Sequence, residues 1–107
     1  MSDVLVVMTN TPDLEVARKI AAELLEKKLA ACVNIVNGCE SHYTWKGKVT
    51  MANEVQLSIK TTVSRYNEVE SAIRALHPYE LPEIIAVPVL KGSHDYLAWV
   101  AEETWKI

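Results

Sequence analysis

Two apolar runs stand near the ends of this chain. Val4-Leu5-Val6-Val7-Met8 is rich in β-branched residues and reads as a strand buried on both faces. Ile84-Ile85-Ala86-Val87-Pro88-Val89-Leu90 repeats the pattern late in the sequence. Pro88 has no N–H to give a ladder, so this second run belongs at a sheet edge or a bulge. Between them, Glu54 to Thr61 alternates: Val55, Leu57 and Ile59 take one face, and Gln56, Ser58 and Lys60 take the other. Ala31 to Val36 makes a further short strand, ended by Asn37-Gly38. His42 to Trp45 and the residues from Val49 onward form the arms of a hairpin around Lys46-Gly47-Lys48.

Helical spacing fills the gaps. Leu14, Ala17, Ile20, Ala21, Leu24 and Leu25 follow Thr11-Pro12-Asp13, which supplies an N-cap, a proline at the first helical position and an acid for the first turn. Lys27 and Lys28 suit the negative end of that helix. Ser64 is placed to cap a second helix with Tyr66, Val69, Ile73 and Leu76 on its buried stripe. His77-Pro78 ends it, because a residue before proline avoids the α region. After Gly92, Ser93 or Asp95 can cap a last helix carrying Leu97, Val100, Ala101 and Trp105.

The order strand, helix, strands, helix, strand, helix predicts a single α+β domain over residues 1–107. Its expected form is a ferredoxin-like split βαβ sandwich with an antiparallel sheet and an extra C-terminal helix. Both crossover helices then lie on one face of the sheet. The first and last main strands are nevertheless apolar on both faces, and the short last helix can cover only part of the second one. Self-association is the economical answer.

Composition narrows the function. The chain has 107 residues, half of them hydrophobic, with 11 basic and 14 acidic side chains and a net charge of −3. This balance speaks against a general nucleic-acid or anionic-membrane binder. No apolar stretch approaches the roughly 20 residues of a membrane span. Met1-Ser2-Asp3 lacks the basic start of a signal peptide, so a cytoplasmic location is expected. Cys32 and Cys39 are then expected as free thiols.

Candidate chemistry concentrates in His77-Pro78-Tyr79-Glu80-Leu81-Pro82-Glu83, where an imidazole, a phenol and carboxylates share a proline-stiffened loop. His77 and Glu80 can both reach one small ligand. Equally, an element-end histidine can serve as a C-cap and surface acids can simply be solvated. Met8 is either core packing or a soft metal ligand. Neither cysteine has a histidine or basic residue beside it in sequence. With three glycines in all, phosphate-cradling loops are not expected. No nucleophile–base pattern is present, so catalysis is not expected.

Four segments in order resemble the CutA (divalent-cation tolerance) family: Lys28-Leu29-Ala30-Ala31-Cys32-Val33-Asn34-Ile35, Tyr43-Thr44-Trp45-Lys46-Gly47-Lys48, Glu54-Val55-Gln56-Leu57-Ser58-Ile59-Lys60-Thr61 and His77-Pro78-Tyr79-Glu80-Leu81-Pro82-Glu83-Ile84. Tyr96-Leu97-Ala98-Trp99-Val100 is similar too. The resemblance implies a homotrimer comparable in architecture to the PII signalling proteins, with divalent metal ions, copper among them, as partners. It implies a metal set of His77, Glu80 and Met8 near an intersubunit ligand cleft of Cys32, Trp45, Lys60 and Tyr79. Copper-binding members carry a cysteine at the end of the first strand and a histidine pair before the proline. Here those positions hold Met8 and Leu76-His77. The leading expectation is therefore a non-catalytic, metal-responsive trimer; the alternative is a PII-like sensor binding small molecules between subunits.

Overall fold

The structure is a computed structural model that describes residues 3–105; the amino-terminal Met1-Ser2 of the sequence reading lies outside them. Its elements are β1 (Val4–Thr11), α1 (Leu14–Glu26), β2 (Cys32–Trp45), β3 (Lys48–Thr62), a 3-10 turn (Val63–Arg65), α2 (Tyr66–Leu76), β4 (Ile85–Pro88) and α3 (His94–Glu103). The four strands form one antiparallel sheet in the order β2-β3-β1-β4. This is the split βαβ arrangement expected above, and Pro88 ends an edge strand as its missing N–H requires.

Alternation sorts the two faces of the sheet. Val7, Thr9 and Thr11 of β1 and Val55, Leu57, Ile59 and Thr61 of β3 are buried. Val7, Val55, Leu57 and Ile59 pack with Ala17, Ile20 and Leu24 of α1 and Val69 and Ile73 of α2 in one core. The opposite row carries Val6 and Met8 on β1, Ile85 and Val87 on β4, Gln56, Ser58 and Lys60 on β3, and Cys32, Asn34 and Val36 on β2. Only α3 reaches this second face, at the end where Thr62 and Thr104 approach within 3.4 Å. Arg65 holds α3 there by donating from Nε to the Thr104 carbonyl at 3.1 Å.

Several boundaries differ from the sequence reading, each for a local reason. The N-cap of α1 is Asp13, not Thr11: Asp13 Oδ1 accepts from the Val16 N–H at 2.9 Å, while Thr11 is the buried last residue of β1. β2 does not stop at Asn37-Gly38. It runs on through a register shift between Val36 and Cys39, where Gly38 takes a φ of 80° that a side chain disfavours. Ser64 lies in the 3-10 turn, and α2 begins after Arg65 without a side-chain cap. Leu76 (38% exposed) and Trp105 (70% exposed) point away from the buried stripes assigned to them. Ser93 caps α3, its Oγ accepting from the Tyr96 N–H at 3.2 Å.

The β2–β3 hairpin closes in two residues, because Trp45 pairs with Lys48. Lys46 and Gly47 both have positive φ, at 49° and 80°, the signature of a type I′ turn that matches the strand twist. Glycine suits its position, and lysine is a poor choice at the other. Gly47→Val should therefore lower stability by about 1–2 kcal/mol. Lys46→Asn should raise it slightly. Urea unfolding at one fixed subunit concentration measures both.

Candidate functional site

Where α2 stops, the chain must cross to β4, and the crossing loop builds one wall of an open cleft of about 970 Å³. The other wall is the outer half of the hairpin, Ser41 to Trp45. The floor includes Asn10 and Glu54, and the loop contributes Pro78 to Ile85. Pro78 prevents α2 from continuing, so His77 leaves the helix in extended geometry (φ −82°, ψ 129°) while its N–H still bonds the Ile73 carbonyl.

The imidazole of His77 is 8% exposed. Its Nε2–H donates to the Asn10 carbonyl at 2.6 Å, and its Nδ1 accepts from the Tyr79 N–H at 3.2 Å. The Tyr79 ring leans on it, with centroids 4.7 Å apart at 53°. The Tyr79 hydroxyl then donates to Glu54 Oε2 at 2.9 Å. Partial burial and the Glu54 carboxylate together push the Tyr79 phenol up to about 12. Glu54 itself is 7% exposed and forms no ion pair among the described residues. Beside it, Asn10 Oδ1 is buried without a hydrogen-bond partner. Asn10 pairs with Gln56 across β1–β3, which makes Asn10 and Glu54 diagonal neighbours on one face, with Cα atoms roughly 7–8 Å apart.

Within one subunit, the residues expected to form a ligand cleft between subunits lie in two groups. Trp45 and Tyr79 line the cleft just described. Cys32 and Lys60 pair with each other at the opposite end of the sheet, six residues or about 20 Å along β3 from Glu54. There both contact Asn34 Oδ1: Lys60 through its ammonium, and Cys32 through Sγ at 3.9 Å. The Tyr96 hydroxyl also bonds Cys32; burial and that thiol hold the Tyr96 phenol above its ordinary range. Cys39, opposite Glu54 in the β2–β3 register, is far from Cys32, and both thiols are free.

The three expected metal ligands also stand apart in role. Glu80 is exposed on the loop and lines the cleft. Met8 projects from the open face beside the cleft, paired with Ile85. His77 is already engaged at both ring nitrogens. Among the described residues, no group of three or more histidine, cysteine, aspartate or glutamate side chains is arranged to hold a metal ion within one subunit. Glu54 and Asn10 were not singled out from sequence. Glu54 lies on the same alternating face as Gln56, Ser58 and Lys60, which is the signal that would have found it; Asn10 carries none.

A family profile described as CutA1 divalent ion tolerance protein matches residues 5–103. The chain belongs to this family. A divalent-cation tolerance protein CutA of Thermus thermophilus is 46% identical over 99 residues, 92% of this chain and 96% of that protein. The protein of the same name from Escherichia coli is 41% identical over 95 residues, 89% of this chain and 85% of that one. Among solved structures, CutA1 from Oryza sativa superposes with a TM-score of 0.94 at 39% identity, covering 99% of this chain and 97% of that chain. The periplasmic divalent cation tolerance protein CutA of Archaeoglobus fulgidus gives 0.91 at 39% identity, over 94% of this chain and 98% of that chain. Family membership thus carries the fold and places the chain among the divalent-ion tolerance proteins.

The Tyr79–Glu54 contact is open to direct measurement. Ultraviolet titration should show one tyrosine ionising near 12, and Glu54→Gln should bring it back toward the ordinary value near 10. Folding favours the neutral phenol. Its stabilising contribution is therefore complete below the unfolded value and is lost as pH rises from about 10 through about 12.

Proposed function

We propose that this CutA-family chain binds divalent cations, copper among them, without catalytic turnover, as a cytoplasmic homotrimer whose subunits share the cleft between loop and hairpin. The carrying observation is Glu54. This nearly buried carboxylate accepts one hydrogen bond from Tyr79 and has no cationic partner among the described residues, so it has acceptor capacity to spare. The buried Asn10 Oδ1 beside it lacks a donor, and Glu80 supplies an exposed carboxylate at the rim. Oxygen acceptors short of positive partners fit a hard divalent ion. Met8, next to the cleft, adds a thioether suited to a softer one.

Two features support the trimer. The β1–β4 half of the open face presents Val6, Met8, Ile85 and Val87, with Ile85 and Val87 more than two-fifths exposed. The hairpin extends from the body with Tyr43, Val49 and Met51 exposed, Val49 at 85%. An arm of this kind protects its edges by pairing with a neighbour.

Native mass spectrometry of metal-free protein tests both parts. The expected result is a species of three 12.0 kDa subunits at micromolar concentration that takes up Zn(II) and Cu(II) but not nucleotides. A monomeric mass overturns the assembly, and nucleotide uptake without metal favours the sensor alternative. Glu54→Gln should weaken divalent-ion binding about tenfold or more, because it removes the carboxylate charge while keeping an oxygen acceptor for Tyr79. Met8→Cys should tighten copper binding in competition with a chelator. No change would leave Met8 as packing.

A further inference from the structure

His77 is the family's expected metal-site residue that this chain retains, and its surroundings do not fit that role. A backbone carbonyl can only accept a hydrogen bond, so the 2.6 Å contact to Asn10 requires the proton on Nε2. A backbone N–H can only donate, so the 3.2 Å contact from Tyr79 requires the lone pair of Nδ1. Both partners are main-chain groups whose roles cannot reverse. The tautomer is therefore set, and no lone pair is left for an ion. Leu76, the exposed neighbour at the same corner, offers no donor atom.

The topology explains why a side chain is needed here. β4 ends its pairing at Ile85, opposite Met8, so Thr9 to Thr11 have a strand partner only on the β3 side. The loop from Pro78 to Ile84 has to be held against this bare edge without strand pairing. His77 ties its start to β1, and Tyr79 carries the tie onward to Glu54 on β3.

We infer that His77 is a latch that positions the cleft loop on the end of β1, and that cations bound by this protein do not coordinate it. The inference concerns the same cleft as the proposed cation site but stands whether or not an ion binds there.

Nuclear magnetic resonance of 15N-histidine-labelled protein tests it on the assembled, unmutated chain. The His77 ring should show the Nε2–H tautomer without metal, and neither ring nitrogen should shift on titration with Zn(II). The opposite tautomer, or a coordination shift at either nitrogen, overturns the latch. Hydrogen exchange gives a readout independent of metal. His77→Ala should speed exchange of the Tyr79 amide at least tenfold. His77→Asn, whose side-chain oxygen can stand where Nδ1 does, should retain much of the protection. Amides of Leu57 to Thr61 should be unaffected in both, which separates a local latch from general unfolding. Unchanged Tyr79 exchange in His77→Ala overturns the inference. If the variants fail to fold, the tautomer and the Zn(II) titration of the parent still decide it. Zn(II) affinity within about twofold of the parent in His77→Asn is expected, and a tenfold loss with Tyr79 still protected would identify a ligand. A parent that binds no ion at all defeats the proposed function, while the tautomer and exchange results continue to judge the latch.

Discussion

Two crossover helices can cover only one face of a four-stranded sheet. In this chain both connections, β1 to β2 through α1 and β3 to β4 through α2, place their helices over the row of Val7, Val55, Leu57 and Ile59. Right-handed crossovers make that placement the normal one. The period of two along each strand then commits every other residue to a face that the subunit itself does not close. α3 shields one end of that face, and the remainder divides by strand: apolar along Val6 and Met8 of β1 and Ile85 and Val87 of β4, polar on β3 and mixed on β2.

A second consequence comes from the brevity of β4. Four residues of edge strand cannot pair with all eight of β1, so main-chain groups at the end of β1 need other partners. Side chains provide them. Thr11 Oγ1 donates to the Asp13 carbonyl at 3.0 Å where the chain turns into α1, and His77 takes the Asn10 carbonyl. On the far side of the core, Thr61 Oγ1 donates to the Leu29 carbonyl at 2.6 Å and ties the loop after α1 to β3. Thr11, Thr61 and His77 are therefore fasteners at strand ends, and His77 fixes the start of the loop that walls the cleft.

Much of this was legible from local pattern. The alternation of Val55 to Ile59, the helical repeat from Leu14 to Leu24 and the stop at His77-Pro78 each report on near neighbours, and each fell where the pattern put it. The residues that misled are those whose environment is decided at a distance. Leu76 has the right spacing for the buried stripe of α2, but it is the last residue of the helix and stays exposed. Asn37-Gly38 is a turn signal in isolation, yet pairing with β3 on both sides turns it into a bulge. At the site, His77 was visible as a residue type, but its partner is a main-chain oxygen 67 positions away, which no side-chain motif encodes. Lys60 and Trp45 are cleft partners on the family motifs alone; within one subunit strand length separates them, and the cleft expected for them lies between subunits.

That separation bears on charge. The open face holds a cation, Lys60, at one end and a nearly buried carboxylate, Glu54, toward the other. At about 20 Å they lie well beyond the screening length of about 8 Å in physiological salt, so neither offsets the other. Lys60 is engaged with Asn34 and cannot swing to the cleft without giving up that bond. The near neighbours of Glu54 on this face, Asn10 and Gln56, carry no charge, and its Tyr79 partner is, like any phenol, neutral at physiological pH. Among the described residues of one subunit no cation pairs with Glu54; under the proposed function its counter-charge is an ion or a second copy of the chain. An ion that prefers the proposed trimer over the separate subunits would then also stabilise that trimer by mass action.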